Sequence, residues 1–198
     1  MTRGLAALSM VVMACTVTGA TISTGLHAQI TPELERAKRL NVEAVEFYRQ
    51  GRFAEGLPKA REVLQIRERA LGPRHPDVAN SLNTLALLLQ ATGDYAGTRP
   101  LFERALRIWE QALGPEHPTV ATSLNNLAES LRVTGDYAGA RPLYERSLRI
   151  WEQALGPRHP DVALSLNNLA LLLQASEDRQ HERPPAAVAP SMGPIPGT

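Results

Sequence analysis

Three histidines fall at the same place in successive copies of one phrase: His75, His117 and His159, each 42 residues from the next. Histidine is the commonest metal ligand and the side chain best suited to proton transfer near neutral pH, so a periodic set of three invites a metal or acid–base reading. A metal would need the three rings within a few ångström of one ion. Equivalent residues of stacked helical units stand on the order of 10–20 Å apart, given interaxial distances of 8–10 Å per helix layer. The histidines are therefore expected to cap or brace helix starts. No other set rises above chance: there is no local Ser, His and acid motif, no phosphate-cradling glycine-rich loop and no Cys/His cluster. The chain is expected to be non-catalytic, with no cofactor and no metal.

The charged residues exclude a second class. Arg104, Arg107, Arg146 and Arg149 recur at one spacing, but Glu103, Glu110, Glu145 and Glu152 recur beside them. That reads as a solvated or inter-repeat ion-pair surface. Lysine and arginine total 21 against 20 acidic residues. No basic stripe is interleaved with aromatics, so nucleic acid is not expected as a partner.

What must position these residues is a repeat. Leu-Gly-Pro-Arg-His-Pro-Asp-Val-Ala begins at Leu71 and again at Leu155, with a close variant at Leu113. Gly93-Asp94-Tyr95-Ala96 returns as Gly135-Asp136-Tyr137-Ala138, and Arg107 to Leu113 as Arg149 to Leu155. A fixed period of this length specifies a solenoid whose units bury apolar faces on their neighbours. Within a unit, Leu82, Leu85, Ala86 and Leu89 fall at i, i+3, i+4 and i+7, one apolar helix face. Gly93-Asp94 interrupts it. A second helical pattern then carries Leu101, Phe102, Ala105, Leu106, Ile108 and Trp109 and ends at Gly114-Pro115. His117-Pro118 opens the next unit, with Pro at the first helical position, where its missing N–H costs nothing. Pro100 is expected to be tolerated near the start of the second helix.

The expected fold is all-α: a solenoid of antiparallel helix pairs, with about three repeats and one terminal helix. Helices are expected at about 33–50, 54–71, 77–91, 96–113, 119–133, 138–155 and 161–175. The solenoid then divides into a degenerate repeat 33–71, repeats 72–113 and 114–155, and a half repeat 156–175. The degenerate repeat keeps Gly51, Pro58 and Leu71 in register but has a more polar first helix, as a terminal repeat facing water should.

Small residues fall where two helices must cross closely: Ala86 and Ala128 in the first helix, Thr98 and Ala140 in the second. Phe102 and Tyr144 follow four residues later. This pattern resembles the tetratricopeptide repeat. The Leu-Gly-x-x-His-Pro-x-Val-Ala and Leu-Asn-Asn-Leu-Ala phrases are similar to the 42-residue kinesin light chain variety, which also occurs in bacterial proteins. The likeness covers Leu71 to Gln174 and implies a right-handed solenoid that serves as a scaffold rather than an enzyme.

The resemblance also implies that first helices line a concave groove. The residues just off the core stripe are then Asn83, Asn125 and Asn167, with Gln90, Arg132 and Gln174 two turns on. Asparagine carries both a donor and an acceptor, so a ladder of them can hold an extended peptide by its main chain. The same ladder could instead brace the repeats. Residues 72–155 contain no lysine, which disfavours the carboxylate-clamp mode of chaperone-binding arrays. The expected partner is a protein or peptide segment. The alternative is a truncated remnant of a larger repeat protein with no independent activity.

Residues 1–28 differ in kind. Arg3 precedes an apolar, small-residue run from Leu5 to Ala20, and Gly25-Leu26-His27-Ala28 offers a small-residue exit. That order is a secretory signal and implies an exported, periplasmic or secreted chain. The same run also reads as an uncleaved membrane anchor, or, around Cys15, as a lipidation site; membrane attachment is expected only by those routes. Loss of 1–28 removes Arg3 and the single cysteine, which leaves equal numbers of acidic and basic side chains. At the other end the pattern fails. Glu177 stands where the turn glycine should be and Arg179 where the aromatic should be, and residues 176–198 are expected to be a disordered Pro/Ala/Gly tail. The stripe Leu166, Leu169, Ala170 and Leu173 is expected to pack inside the array, with Leu171 and Leu172 as a second, uncovered apolar edge. Pairing of two chains through 161–175, or a sticky open end, would follow.

Overall fold

The computed structural model describes residues 32–182, and among these the chain forms seven α-helices and no strand. The readings of 1–28 as a signal and of 183–198 as tail fall outside the described residues. Helix α1 spans 32–49. It is followed by α2 (Phe53–Leu71), α3 (Pro76–Ala91), α4 (Tyr95–Leu113), α5 (Pro118–Val133), α6 (Tyr137–Leu155) and α7 (Pro160–Glu182). Each helix packs on the next across a short turn, so neighbours run antiparallel in pairs. All the expected helices are present, with starts and ends within about two residues, except at the end of α7.

The turns are set by glycine. Gly51, Gly72, Gly93, Gly114, Gly135 and Gly156 all have positive φ, and they are spaced at half the 42-residue period. At Gly114 nothing lies within 4 Å of an added Cβ, yet φ is +89°. Backbone conformation, not space, demands glycine there. The helix starts are capped in a matching rhythm. Asp94 and Asp136 accept from the Gly97 and Gly139 N–H groups at 3.1 and 3.0 Å. Helices α2, α4 and α6 each keep a proline inside, at Pro58, Pro100 and Pro142.

The core runs through the repeats without a break. Leu82, Leu85, Ala86 and Leu89 of α3 and Leu124, Leu127, Ala128 and Leu131 of α5 are all at most 6% exposed. One cluster joins Val78, Leu82, Trp109, Val120, Leu124 and Ile150. The next joins Ala86, Phe102, Ala128, Ala140, Tyr144 and Leu172. Burying a side chain of this size stabilises by roughly 1.5–3 kcal/mol, so the small residues matter for what they let approach. The degenerate first repeat has Arg67 where the others have Trp109 and Trp151. Arg67 is buried and donates to the Asp77 carbonyl and the Ser81 hydroxyl. Burial lowers its pKa, opposed by the nearby Asp77 carboxylate.

Two expectations about the C-terminal end are corrected. Residues 176–182 are helical rather than disordered, because α7 continues to Glu182. The turn phrase Thr134-Gly135-Asp136 is replaced by Ser176-Glu177-Asp178, so no glycine is present to take the left-handed conformation that ends the helix. Arg179 then packs back on the preceding turn, its guanidinium 4.5 Å from the centre of the Tyr137 ring and hydrogen-bonded to the Gly135 carbonyl. The second correction concerns which face is covered. Leu172 is 1% exposed and belongs to the core, whereas Leu166 is 48% and Leu173 37% exposed. Helix α7 packs inward through Val162, Ser165 and Leu172, the side that meets α6, and the Leu166, Ala170 and Leu173 side is open.

Candidate binding groove

The first helices of successive repeats are joined by pairs of asparagines. Asn126 Nδ2 donates to Asn83 Oδ1 at 3.0 Å, and Asn168 Nδ2 donates to Asn125 Oδ1 at 2.9 Å. The register explains both bonds: 83 and 125 are equivalent positions, as are 126 and 168, so a contact that spans 43 residues repeats at the 42-residue period. Asn83 and Asn125 therefore brace the array. Each pair uses one donor and one acceptor. The NH2 of Asn83 or Asn125 and the carbonyl of its partner make no other protein hydrogen bond among the described residues.

Beside the first pair lies a cleft of about 240 Å³, lined by Tyr48, Leu87, Gln90, Ala91, Asn125, Asn126 and Glu129. Helices α1, α3 and α5 contribute, so the cleft lies across three first helices. Its lining mixes apolar surface (Leu87, Ala91 and the Tyr48 ring) with the polar side chains of Gln90, Asn125, Asn126 and Glu129. Of the expected groove residues, Gln90 and Asn125 line this cleft, and Asn83 joins it through Asn126. Asn167 and Gln174 are exposed on α7 and do not line it. Tyr48, Leu87, Asn126 and Glu129 were missed. Tyr48 stands 42 residues before Gln90, so the period itself would have found it.

Arg132 is held by its own helix. It forms a two-pronged bond to Glu129, at 2.8 and 2.6 Å, and Glu129 also accepts from the Tyr144 hydroxyl at 2.7 Å. Burial alone would raise the Glu129 pKa, but the bonds from Arg132 and Tyr144 outweigh it and the carboxyl ends below its usual range. Burial and the adjacent carboxylate push the Tyr144 hydroxyl well up. The hydrogen bond to Glu129 likewise raises the Arg132 guanidinium. The preceding repeat has Leu87, Gln90 and Phe102 at the same three places. The two repeats thus solve one packing site in two ways, one apolar and one polar.

The three histidines are caps. Nδ1 of His75, His117 and His159 accepts from the N–H of Asp77, Thr119 and Asp161 at 3.1, 3.1 and 3.3 Å. Among the described residues no three His, Cys, Asp or Glu side chains converge on a metal-sized site. The arginines split between two roles. Arg99–Glu103 and Arg141–Glu145 pair along their helix. Arg104–Glu68 and Arg146–Glu110, each 2.6 Å, join one second helix to the next. Arg104 and Arg146 also bond the Pro73 and Pro115 carbonyls.

Comparison with known proteins agrees with this geometry. Tetratricopeptide repeat models match residues 44–97 and 119–183, and a further one matches 78–119. No curated protein sequence matches the chain. Among solved structures, a putative kinesin light chain with nearly identical TPR-like repeats from Podosopora anserina is similar at TM-score 0.67 and 27% identity, over 74% of this chain and 69% of that one. BtubC (BKLC) from P. vanneervenii is similar at TM-score 0.66 and 23% identity, over 73% of this chain and 57% of that one. The apo form of RapI is similar at TM-score 0.64 and 16% identity, over 75% of this chain and 52% of that one. The chain thus spans little more than half of the latter two. By the match of its repeats and by its stacked helix pairs, the chain belongs to the tetratricopeptide repeat family, whose arrays are typically non-catalytic scaffolds for protein–protein interaction.

Proposed function

We propose that the array is a non-catalytic interaction module that holds an extended peptide segment of a protein partner in the cleft across α1, α3 and α5. The observation that carries this reading is the cleft itself, whose lining mixes apolar side chains with amide groups. An extended peptide presents alternating N–H and C=O groups, and an asparagine pair that has used one donor and one acceptor keeps one of each to offer. Bracing and binding are then compatible roles for the same residues. An apolar side chain of the peptide would lie on Leu87 and Ala91, beside the Tyr48 ring.

Selection of displayed peptides on the immobilised chain tests the reading. Tyr48→Ala and Gln90→Ala should weaken a selected peptide at least about tenfold, in the range of a lost hydrogen bond or aromatic contact, without moving the melting curve. Arg107→Ala, exposed on α4, should change nothing. If Tyr48→Ala and Gln90→Ala bind as the parent does, the cleft is not the site. Asn125→Ala should weaken binding at intact helicity, and Asn167→Ala, outside the cleft, should not; loss only together with helicity would leave Asn125 as a brace alone.

We infer also that residues 1–28 direct export, on the order of their residues. A mature chain beginning at Gln29 supports this, and a lipid on Cys15 or a retained Met1 opposes cleavage after Ala28.

A further inference from the structure

Helix α7 is nearly a copy of α3. Over their first sixteen residues they differ only at Asn80/Leu164 and Thr84/Asn168. In α3 the face Leu82, Leu85, Ala86 and Leu89 is buried against the array. There α4 covers part of it: Ala86 shares one apolar cluster with Phe102 and Leu82 one with Ala105 and Trp109, while Leu85 and Leu89 cluster with Ala44 and Ala60 of the preceding repeat. The equivalent face of α5 is covered by α6, with Ala128 clustered with Tyr144. In α7 the same side chains recur as Leu166, Leu169, Ala170 and Leu173; Leu169 is partly buried against the array, whereas Leu166 is 48% and Leu173 37% exposed. Among the described residues no further helix covers them, for α7 runs straight through the place of the turn, with Glu177 where glycine stands elsewhere.

We propose that this face is a docking site for one amphipathic helix of the α4 and α6 type, supplied by another chain. The internal interfaces define the occupant's chemistry. It carries an aromatic, as at Phe102 and Tyr144, and a small residue about one turn beyond, as at Ala105 and at Ser147, which bonds the Ala121 carbonyl of the preceding first helix. The aromatic fills the space over the alanine. A large aromatic in such a pocket carries much of an interface's energy. A second copy of this chain fits less well. Its α2, α4 and α6 are already packed on their own first helices. Its α7 would bring alanine to alanine and leave the aromatic's place empty. Stacking on the other end of a copy would lack the amide bond that joins the later repeats. Val42 stands there where Asn126 and Asn168 donate to the preceding repeat. The site is separate from the cleft across α1, α3 and α5, so either can fail alone.

The probe is a peptide of residues 93–114 with a lactam staple joining Arg99→Lys to Glu103. These positions form an exposed i, i+4 pair, so the staple holds the helix without touching the apolar face. Full-length chain and labelled peptide are titrated by fluorescence anisotropy after circular dichroism confirms that the peptide is helical. The expected result is saturable one-to-one binding. It should weaken at least about thirtyfold when the peptide carries Phe102→Ser, and likewise when the protein carries Leu166→Asp. Both losses exceed the effect of a rim contact. Leu166 is half exposed, so its substitution should leave the melting curve in place. No binding by the helical peptide overturns the proposal. So does binding that ignores both substitutions. A chain that sediments as a dimer, becomes monomeric with Leu166→Asp and excludes the peptide assigns the face to self-pairing instead.

Discussion

Thr98 and Ser130 meet through their hydroxyls, 2.7 Å apart and fully buried, where α4 crosses α5. The pair is one of three at a separation of 32 residues. At the preceding crossing Gly56 faces Leu88, and an added Cβ there would stand 2.9 Å from Leu88 Cδ2. At the following crossing Ala140 and Leu172 share one cluster. At the outer two crossings a leucine is met by a glycine or an alanine, and at the middle one two residues of intermediate size meet.

Ser130→Leu alone should therefore overpack the crossing and cost about 1–3 kcal/mol. Adding Thr98→Ala recreates the Ala140 and Leu172 arrangement and should recover most of that loss. Thermal unfolding of the two single variants and the double variant measures it. Additive losses would show that the crossing does not compensate.

Tyr144 and Glu129 should show the same coupling in polar form. Glu129→Leu strands the Tyr144 hydroxyl, and Tyr144→Phe removes a donor from Glu129; each should cost about 1–2 kcal/mol. The double variant copies Leu87 and Phe102 of the preceding repeat and should lose less than the sum, which a double-mutant cycle by denaturant unfolding reads directly.

The same carboxylate predicts an acid dependence. The folded Glu129 pKa is below its usual value, so the stability it contributes is fully present above the ordinary glutamate range, near 4.3. It is lost as the pH falls through the folded value. Melting temperatures from pH 6 down to pH 3 should drop less in the Glu129→Leu, Tyr144→Phe variant than in the parent. Equal slopes would assign the acid sensitivity elsewhere.

Ala86→Arg or Ala128→Arg should unfold the array locally. Both alanines are fully buried at helix crossings, and overpacking together with a buried charge costs several kcal/mol, on the order of 3–5. Loss of cooperative melting and of far-ultraviolet ellipticity is the expected readout. By contrast His117→Ala removes only a cap and should cost about 1 kcal/mol.

Most of the fold was legible because it repeats. Gly93 and Gly135 fix turns, Leu82 and Leu85 fix a face, and each reading was checked by its copy 42 residues away. The end of α7 was misread because residues 176–182 have no copy. There the absence of a turn glycine was taken as the end of order, although Glu177 and Arg179 favour helix. Leu172 was misplaced because one helix has two apolar sides, and only the packing against α6 says which is covered. In the groove, the asparagines were recognised but their bonds were not, since those join position 83 to 126 rather than to 125. Tyr48 was overlooked because the worn repeat hides its alignment with Gln90.

Arg104–Glu68 and Arg146–Glu110 span consecutive second helices, while asparagine pairs span consecutive first helices. One side of the array is thus laced by ions and the other by neutral amides. Neutral amide bonds barely respond to ionic strength, whereas partly exposed ion pairs weaken as the screening length shortens from about 10 Å at 0.1 M salt to about 3 Å at 1 M. Salt therefore slackens the back of the solenoid and leaves its inner seam tight.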